Sequence, residues 1–397
     1  MRILELGWEF PPQKSGGLGT ACEGICRGLL RLGHDVTFFM PSAPERDDIA
    51  LVGANSIHQD NPTDGSLTPY SIASSLLPYH SETSYQDTPH PFEGGYGASL
   101  FEEVQRFASV AAQFARKGAF DVIHAHDWMT FPAASAIRHL AQVPIAAHVH
   151  SLEIDRAPQG ANQTIMDMEK QGLQAADAII CVSGRTKSMV IDQYGIESKK
   201  IHVAHNAAFP VTRPRKKHPW GSDKLVVYLG RITHQKGPET FVLAAAQLLQ
   251  YMQDVQFIMA GDGDLLRPMI ERVTDARLQR HFHFTGFLKD NHASDLLAMA
   301  DLYVLPSVSE PFGIAPLEAM LHGVPVIVTN QAGVVEVMPS APRVDHWDVV
   351  GLSDWMQRIL TNDDLANELV RSGAKDLTAV SWDHTAETIS QILQNLA

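Results

Sequence analysis

The sequence predicts two doubly wound α/β domains in tandem, and three observations carry that prediction. Short apolar runs alternate with segments of helical period through both halves of the chain, as buried parallel strands wrapped by helices do. The alternation breaks at Asn206–Gly221, dense in Pro and charge and without apolar period, and then starts afresh. At 397 residues the chain also exceeds one ordinary core. The expected layout is a first domain over 1–206 with an insertion at 52–97, a linker at 207–222, and a second domain over 223–380. A final helix within 381–397 is expected to pack back on the first domain.

Taken in order, Arg2–Leu6 reads as the first strand and Trp8–Gly19 as a loop carrying Gly16, Gly17 and Gly19. Leu18, Cys22, Ile25, Cys26, Leu29 and Leu30 recur at helical spacing before Gly33 and a strand at Asp35–Met40. Gly-Gly ahead of a helix lets backbone approach an anion, although such a pair is often only a turn. Lys14 adds a cation beside it. Neither the dinucleotide fingerprint nor the P-loop order is present. Residues 52–97 lose the periodic pattern and are expected to form an excursion near a ligand crevice. The pattern resumes with a helix over 98–117, a strand at Asp121–Ala125, a helix near 131–140 and strands at 144–149, 178–182 and 200–204.

Two strand ends carry His124-Ala-His126-Asp127-Trp128 and His148-Val-His150. Each His-x-His pair has the spacing to chelate a metal. The reading adopted is that the upstream histidine packs while the downstream one, His126 or His150, faces a crevice at the carboxyl end of the sheet. No metal is expected, because no further ligand cluster accompanies either pair.

In the second half, strands are read at 225–230, 255–260, 281–285, 302–305 and 324–328, and helical patterns at 238–249, 347–360, 364–372 and 382–396. Arg231 and Lys236, five positions apart after a strand end, suit a diphosphate leaving group: arginine grips phosphate oxygens in a fork and lysine adds a point charge. The alternative is a surface pair beside a turn. The loop Ser307–Gly313 brings Glu310, Phe312 and Gly313, and the short helix after it brings Glu318. Two carboxylates and the helix's first N–H groups converging there suit a polyhydroxylated anion such as a sugar nucleotide; exposed surface charges are the alternative.

Composition narrows the classes. A formal charge of −14 argues against nucleic acid as the main partner. No apolar run approaches a membrane span, the N-terminus opens directly on a strand without a leader, and a cytoplasmic location is the simplest expectation. The three cysteines are expected to be buried thiols.

Together, Gly7-Trp-Glu-Phe-Pro-Pro12, Lys14-Ser-Gly-Gly-Leu18, His124-Ala-His-Asp-Trp128, Gly230-Arg231 with Lys236-Gly237, and Glu310-Pro-Phe-Gly313 with Glu318-Ala319 resemble retaining glycosyltransferases of the GT-B fold, family four. More closely, the chain looks like bacterial and archaeal glycogen synthases and their near relatives in that family. The resemblance runs from end to end, is weakest over 52–97 and strongest over 286–338. It implies two Rossmann-like domains with a cleft between them and transfer of a sugar, glucose by the likeness, from a nucleoside-diphosphate sugar to an α-glucan. A different acceptor, an epimerase or a non-catalytic binder of the same fold are the alternatives.

By the same resemblance the catalytic group is Glu310, Arg231, Lys236 and His150. Lys14, Gly16, Gly17, Phe312, Gly313, Ile314 and Glu318 would bind donor, with Glu318 on the ribose. His126, Asp127 and Trp128 would line the acceptor side. Such enzymes use no metal and no cofactor beyond the sugar nucleotide. Asn206-Ala207 stands where many relatives have Asn-Gly, and 339–348 lacks their glycine-rich turn. The oligomeric state is not legible.

Overall fold

The computed structural model describes residues 1–12, 16–42, 49–53, 100–158, 160–211, 215–221 and 223–397. Lys14 and all of the 52–97 insertion beyond Gly53 lie outside them.

The first domain is a parallel sheet of seven strands, β1 (Arg2–Leu6), β2 (Asp35–Met40), β3 (Ala50–Gly53), β4 (Val122–His126), β5 (Ile145–Val149), β6 (Ala178–Cys181) and β7 (Ile201–Val203), in the order β3-β2-β1-β4-β5-β6-β7. The helices are α1 (Gly17–Arg31), α2 (Leu100–Lys117), α3 (Phe131–Ala141), α4 (Glu153–Arg156), α5 (Gln163–Ala175) and α6 (Gly184–Tyr194). Strand residues alternate between two cores. Leu4, Leu6, Ile123 and Ala125 face α2 and α3, whereas Ile3, Phe38 and Val122 face α1. Strand β3 and helices α4 and α5 escape the periodic reading: β3 is four residues at a sheet edge, and α4 a single turn. Only α5 carries a start signal, Asn162, whose side chain caps the N–H groups of Thr164 and Ile165.

The second domain repeats the winding with β8 (Lys224–Leu229), β9 (Val255–Ala260), β10 (Phe282–Gly286), β11 (Leu302–Leu305), β12 (Val326–Thr329) and β13 (Arg343–Val344), ordered β10-β9-β8-β11-β12-β13. Helices α7 (Pro238–Leu248), α8 (Leu266–Asp275), α9 (Asp290–Met299), α10 (Ala315–Leu321), α11 (Val349–Thr361) and α12 (Asp363–Asp376) cover it. Val226 and Tyr228 join the core under α7, and Leu225 and Val227 the core under α9 and α10. In both sheets the order reverses beside the domain's first strand, so the ligand crevices predicted by topology open between β1 and β4 and between β8 and β11. No helix among the described residues is long and apolar enough to cross a membrane.

The last helix, α13 (Trp382–Gln394), lies on α1 of the first domain. Trp382, Ala386, Ile389 and Leu393 share a core with Cys22, Ile25 and Cys26. His34 and Ser390 hydrogen-bond at 2.7 Å, and Arg31 pairs with Asp383. All three cysteines are buried and unpaired, and burial pushes their thiols up. In the linker, Lys216 pairs with Asp295 at 2.8 Å and the Arg215 guanidinium reaches Ala300 O, so this basic stretch is tied to the second domain.

Gly24 and Gly28 let α1 and α13 approach: a Cβ on Gly24 would stand 2.1 Å from Trp382 Cδ2. Gly24→Ala is therefore expected to lower stability by about 1–3 kcal/mol, although alanine is the better helix former by ~1 kcal/mol. Trp382→Ala removes a buried indole and costs about 3–5 kcal/mol. In the Trp382→Ala background the Gly24→Ala cost reverses to a gain, read from urea unfolding midpoints across the double-mutant cycle.

Candidate active site

The second sheet's switch point holds Arg231, Lys236 and Glu310. Lys236 ends a short 3-10 turn, His234–Lys236, that follows β8, and Glu310 lies on the loop that follows β11. Gln235, almost fully buried, couples the two loops. Its backbone carbonyl accepts from Val308 N at 2.9 Å and Ser309 N at 3.3 Å, and its side-chain oxygen accepts from Arg231 Nη2 at 3.0 Å. Lys236 Nζ donates to Glu310 Oε2, which also accepts from Ser307 Oγ at 3.2 Å. Gly237 has φ +64°, and a Cβ there would stand 2.0 Å from Pro306 O, so only glycine lets these loops close on each other.

Two buried tyrosines form the floor. Tyr228 OH donates to Arg231 O at 2.6 Å and Tyr303 OH to Leu229 O at 3.1 Å. Burial first, then the Glu310 carboxylate, pushes the Tyr228 phenol up, with Arg231 opposing; the Tyr303 phenol is raised by burial and by Glu310, Tyr228 and Glu318. Both tyrosines thus sense the groups above them, which places Arg231, Glu310 and Glu318 in one electrostatic neighbourhood.

Other predicted donor residues are distributed differently. Gly17 comes up to the second domain, a Cβ on it lying 3.6 Å from Ile314 Cδ1. The turn is not all free donors, since Gly19 N gives its hydrogen to the buried Glu9 carboxylate at 3.1 Å. The Phe312 ring is buried in the second domain's core beside Leu305 and Leu317, so it seats the loop. Gly313, at φ +101°, makes the bend next to it. The helix that opens there also offers fewer donors than expected: Pro316 has no N–H, and Leu317 and Glu318 both turn theirs onto Ile314 O.

The first domain grips the Glu310 loop on both sides. Ser309 Oγ donates to Asp155 Oδ1 at 2.5 Å and accepts from Arg185 Nη2 at 2.8 Å. Ser183 Oγ donates to Pro311 O at 2.6 Å. The Glu336 carboxylate accepts from Gly184 N, Arg185 N and His205 Nε2 at 2.8, 3.0 and 2.8 Å, capping α6 from the other domain. Burial raises the Asp155 carboxyl. Glu336 is lowered: burial acts against ionisation, but the His205 and backbone donors outweigh it. Sequence reasoning missed Gln235, Glu9, Asp155, Arg185, Ser309 and Glu336. Only Ser183, a helix cap, had a local signal.

At the first sheet's switch point the histidines form a buried lattice. Register sets Glu5 abreast of His124 and His126 abreast of His148, all on one face. Glu5 Oε1 accepts from His124 Nδ1 at 3.0 Å and Oε2 from His126 Nε2 at 2.7 Å. His124 Nε2 meets His148 Nδ1 at 3.1 Å, and His126 Nδ1 meets His150 Nε2 at 2.8 Å. Burial raises the Glu5 carboxyl, yet the His124 and His126 interactions outweigh it and hold it at about 2.

The expectation that His126 faces the crevice is therefore corrected: it is fully buried with both nitrogens engaged, drawn inward by Glu5 on the neighbouring strand. Asp127 and Trp128 are also inside. Trp128 packs in the core near Phe101, and Asp127 Oδ1 accepts from the N–H groups of His150 and Ser151 at 2.7 and 3.3 Å. His126 and Asp127 hold the segment after β5 from beneath through their bonds to His150. His124, His126 and His148 are the group among the described residues with ligand atoms close enough, within 4.8 Å, to share a metal. Within that trio His124 Nε2 and His148 Nδ1 stand 3.1 Å apart, a hydrogen bond, and His126 spends its nitrogens on Glu5 and His150.

Residues 15–208 match the family profile described as "Glycosyltransferase Family 4", and residues 211–376 the one described as "Glycosyl transferases group 1". The chain is 27% identical to the glycogen synthase of Mycobacterium tuberculosis, over 99% of this chain and 94% of the relative. It is 28% identical to the alpha-maltose-1-phosphate synthase of Mycolicibacterium smegmatis, over the whole of both. Among solved structures it is similar to the sucrose-phosphate synthase of Thermosynechococcus elongatus, with TM-score 0.78, 20% identity and coverage of 100% and 99%, a likeness of fold.

Burial lifts the Asp127 carboxyl from 3.8 to about 6, against the pull of Arg156 and of the two backbone donors. Between those values the folded state holds the proton that the unfolded chain has lost, so this group's contribution to stability falls as pH rises from about 4 to about 6 and stays low above. Asp127 has φ +61°, which asparagine tolerates. Asp127→Asn should therefore gain stability relative to wild type across that window, by up to about 3 kcal/mol, in urea melts at pH 4.5 and pH 7.

Proposed function

Because this chain belongs to the family 4, group 1 glycosyltransferases and has their GT-B fold, we propose that it transfers a hexose, with retention, from a nucleoside-diphosphate sugar to a hydroxyl of an α-glucan. The observation that carries the reading is the Arg231–Gln235–Lys236–Glu310 constellation at a sheet switch point, its loop gripped by the opposite domain. The name of one mycobacterial relative, a glycogen synthase, supports a glucan, whereas that of the other, an alpha-maltose-1-phosphate synthase, points to a small phosphorylated product.

In this reading Arg231 and Lys236 hold the diphosphate, and their charge counts for most as the bond from anomeric carbon to phosphate oxygen breaks and that oxygen gains the electron pair. Lys236 has three N–H donors and spends one on Glu310, so the same ammonium holds the carboxylate and meets the phosphate. The acceptor hydroxyl attacks the face the diphosphate leaves, and its proton passes to the departing phosphate oxygen. Glu310 stabilises the oxocarbenium-like sugar. Its Oε2 is held by an ammonium and a hydroxyl, which fixes the carboxylate in place. Glu318 is assigned to the ribose, and the Gly16-Gly17 turn and Lys14 to the donor phosphates. Charge neutralisation falls to these side chains, with no metal assigned.

A panel of ADP- and UDP-sugars against glycogen, maltooligosaccharides and simple sugars, read by nucleoside diphosphate release and glycan growth, tests the reading. Growth of an α-linked glucan is expected. Isomerisation or hydrolysis without growth would instead mark an epimerase-like enzyme, and binding without turnover a binder. Arg231→Ala, Lys236→Ala and Glu310→Gln should each lower kcat/KM by about 100-fold or more while circular dichroism shows a folded chain; wild-type turnover in any of them removes that residue from the mechanism.

A further inference from the structure

We propose that Glu5, two strands from His150, is a positioning residue that fixes the tautomer of His150 through His126, so that His150 offers its Nδ1 as a hydrogen-bond acceptor to a hydroxyl group of the bound sugar. The inference rests on the reading of the cleft as a sugar-nucleotide site and adds to it a positioning residue and a direction of hydrogen bonding.

The direction follows from atoms and valence. An ionised carboxylate only accepts, and Glu5 is held ionised, so the His126 nitrogen facing it at 2.7 Å, Nε2, carries the hydrogen. Burial, then the neighbouring His124, presses His126 toward its neutral form. Neutral imidazole has one N–H, already given to Glu5, which leaves His126 Nδ1 with a lone pair. That lone pair faces His150 Nε2 at 2.8 Å. The hydrogen between them must come from His150 Nε2, and His150 is in turn kept neutral by burial and by His126 and His124. Its Nδ1 then has no hydrogen and is an acceptor.

Two further observations point to a ligand at that atom. His150 Nδ1 is buried and has no hydrogen-bond partner among the described residues, so the relay ends on an unsatisfied acceptor. His150 also sits two residues past His148 on the same face, beyond the carboxyl end of β5, where ligands of open α/β sheets bind. Asp127 fixes the backbone, accepting from His150 N at 2.7 Å, so the ring is held from both ends. A neutral acceptor with a fixed lone pair selects a hydroxyl and rejects an ether, carbonyl or carboxylate oxygen, none of which can donate. Nothing in the sequence hints at the relay, since Glu5 reads as one polar residue in an apolar strand.

Two measurements test it. In protein labelled with 15N in histidine, the ring nitrogens of His150, assigned by loss of the signal in His150→Gln, should show protonated Nε2 and bare Nδ1 near pH 7.5. In Glu5→Gln, whose amide can donate to His126 as readily as accept, that signature should shift toward the other tautomer. Protonated Nδ1 in the wild type, or an unchanged signature in Glu5→Gln, overturns the proposal. The wild-type measurement needs only the His150→Gln variant for assignment and no Glu5 variant, and it decides the His150 tautomer even if the chain transfers no sugar. Second, across a set of monodeoxy nucleoside-diphosphate sugars, the wild type should prefer the parent donor over one deoxy analogue by about tenfold in kcat/KM, the worth of one hydrogen bond. That preference should shrink to within about twofold in Glu5→Gln. Its survival at the wild-type ratio overturns the proposal, whereas failure of every donor overturns the functional reading and leaves the tautomer result standing.

Discussion

The hydrogen bonds that the first domain makes on either side of Glu310 govern the rest of the site. Ser309 is held by Asp155 and Arg185, Pro311 by Ser183, and Glu336, close behind in the chain, caps the N-terminus of α6. Each such bond contributes about 1 kcal/mol net, those to charged groups somewhat more, because water replaces it when the domains part. The contact of α13 with α1 is of another kind: Trp382, Ala386 and Ile389 are buried against α1 and lose that burial if separated. The domains are thus joined by an apolar connection that is costly to break and by a polar seam that is cheap to exchange with water. The carboxylate assigned to the sugar sits on the polar side.

The two sheets have the same winding and solve different problems at their switch points. Below Arg231 and Glu310 lie two phenols, whose rings fill the core while their hydroxyls satisfy the carbonyls of Leu229 and Arg231. The floor is neutral and stiff, and fixed backbone carries the charges above it. In the first sheet the equivalent depth is ionic. Glu5 is a carboxylate without exposed surface, tolerable there because two histidines supply the donors that water would. Both arrangements hold loop ends rigid, one by packing and the other by hydrogen bonds.

Fold and candidate site were legible to different depths. Apolar runs of four to six residues between helical periods located eleven of the strands, because a parallel sheet covered on both faces leaves few other places for Val, Ile and Leu. Strands β3 and β13 escaped because they are short and lie at sheet edges. Arg231, Lys236 and Glu310 could be singled out because charges bordering apolar strands at loop positions are conspicuous. Their coupling through Gln235 could not, since it depends on where one backbone carbonyl points. His126 was misplaced for a related reason. Alternation says which face a residue takes but not whether that face is open, and whether it is open is decided by Glu5, more than a hundred residues away and abreast of His124 only once the strands pair.

That long-range pairing also bears on why a polar layer is retained where Leu and Val would pack. A buried carboxylate with four imidazoles is a poor source of stability, since apolar side chains of like volume often do as well or better. Its value must lie in what it specifies. Among the described residues every nitrogen in the lattice is matched except the two at its far end, His148 Nε2 and His150 Nδ1. Both residues stand at the carboxyl end of β5 or just past it, the end of a parallel sheet at which ligands bind. A layer built for stability alone would have no reason to end on unsatisfied atoms, and none to place them where a sugar hydroxyl could complete the pattern.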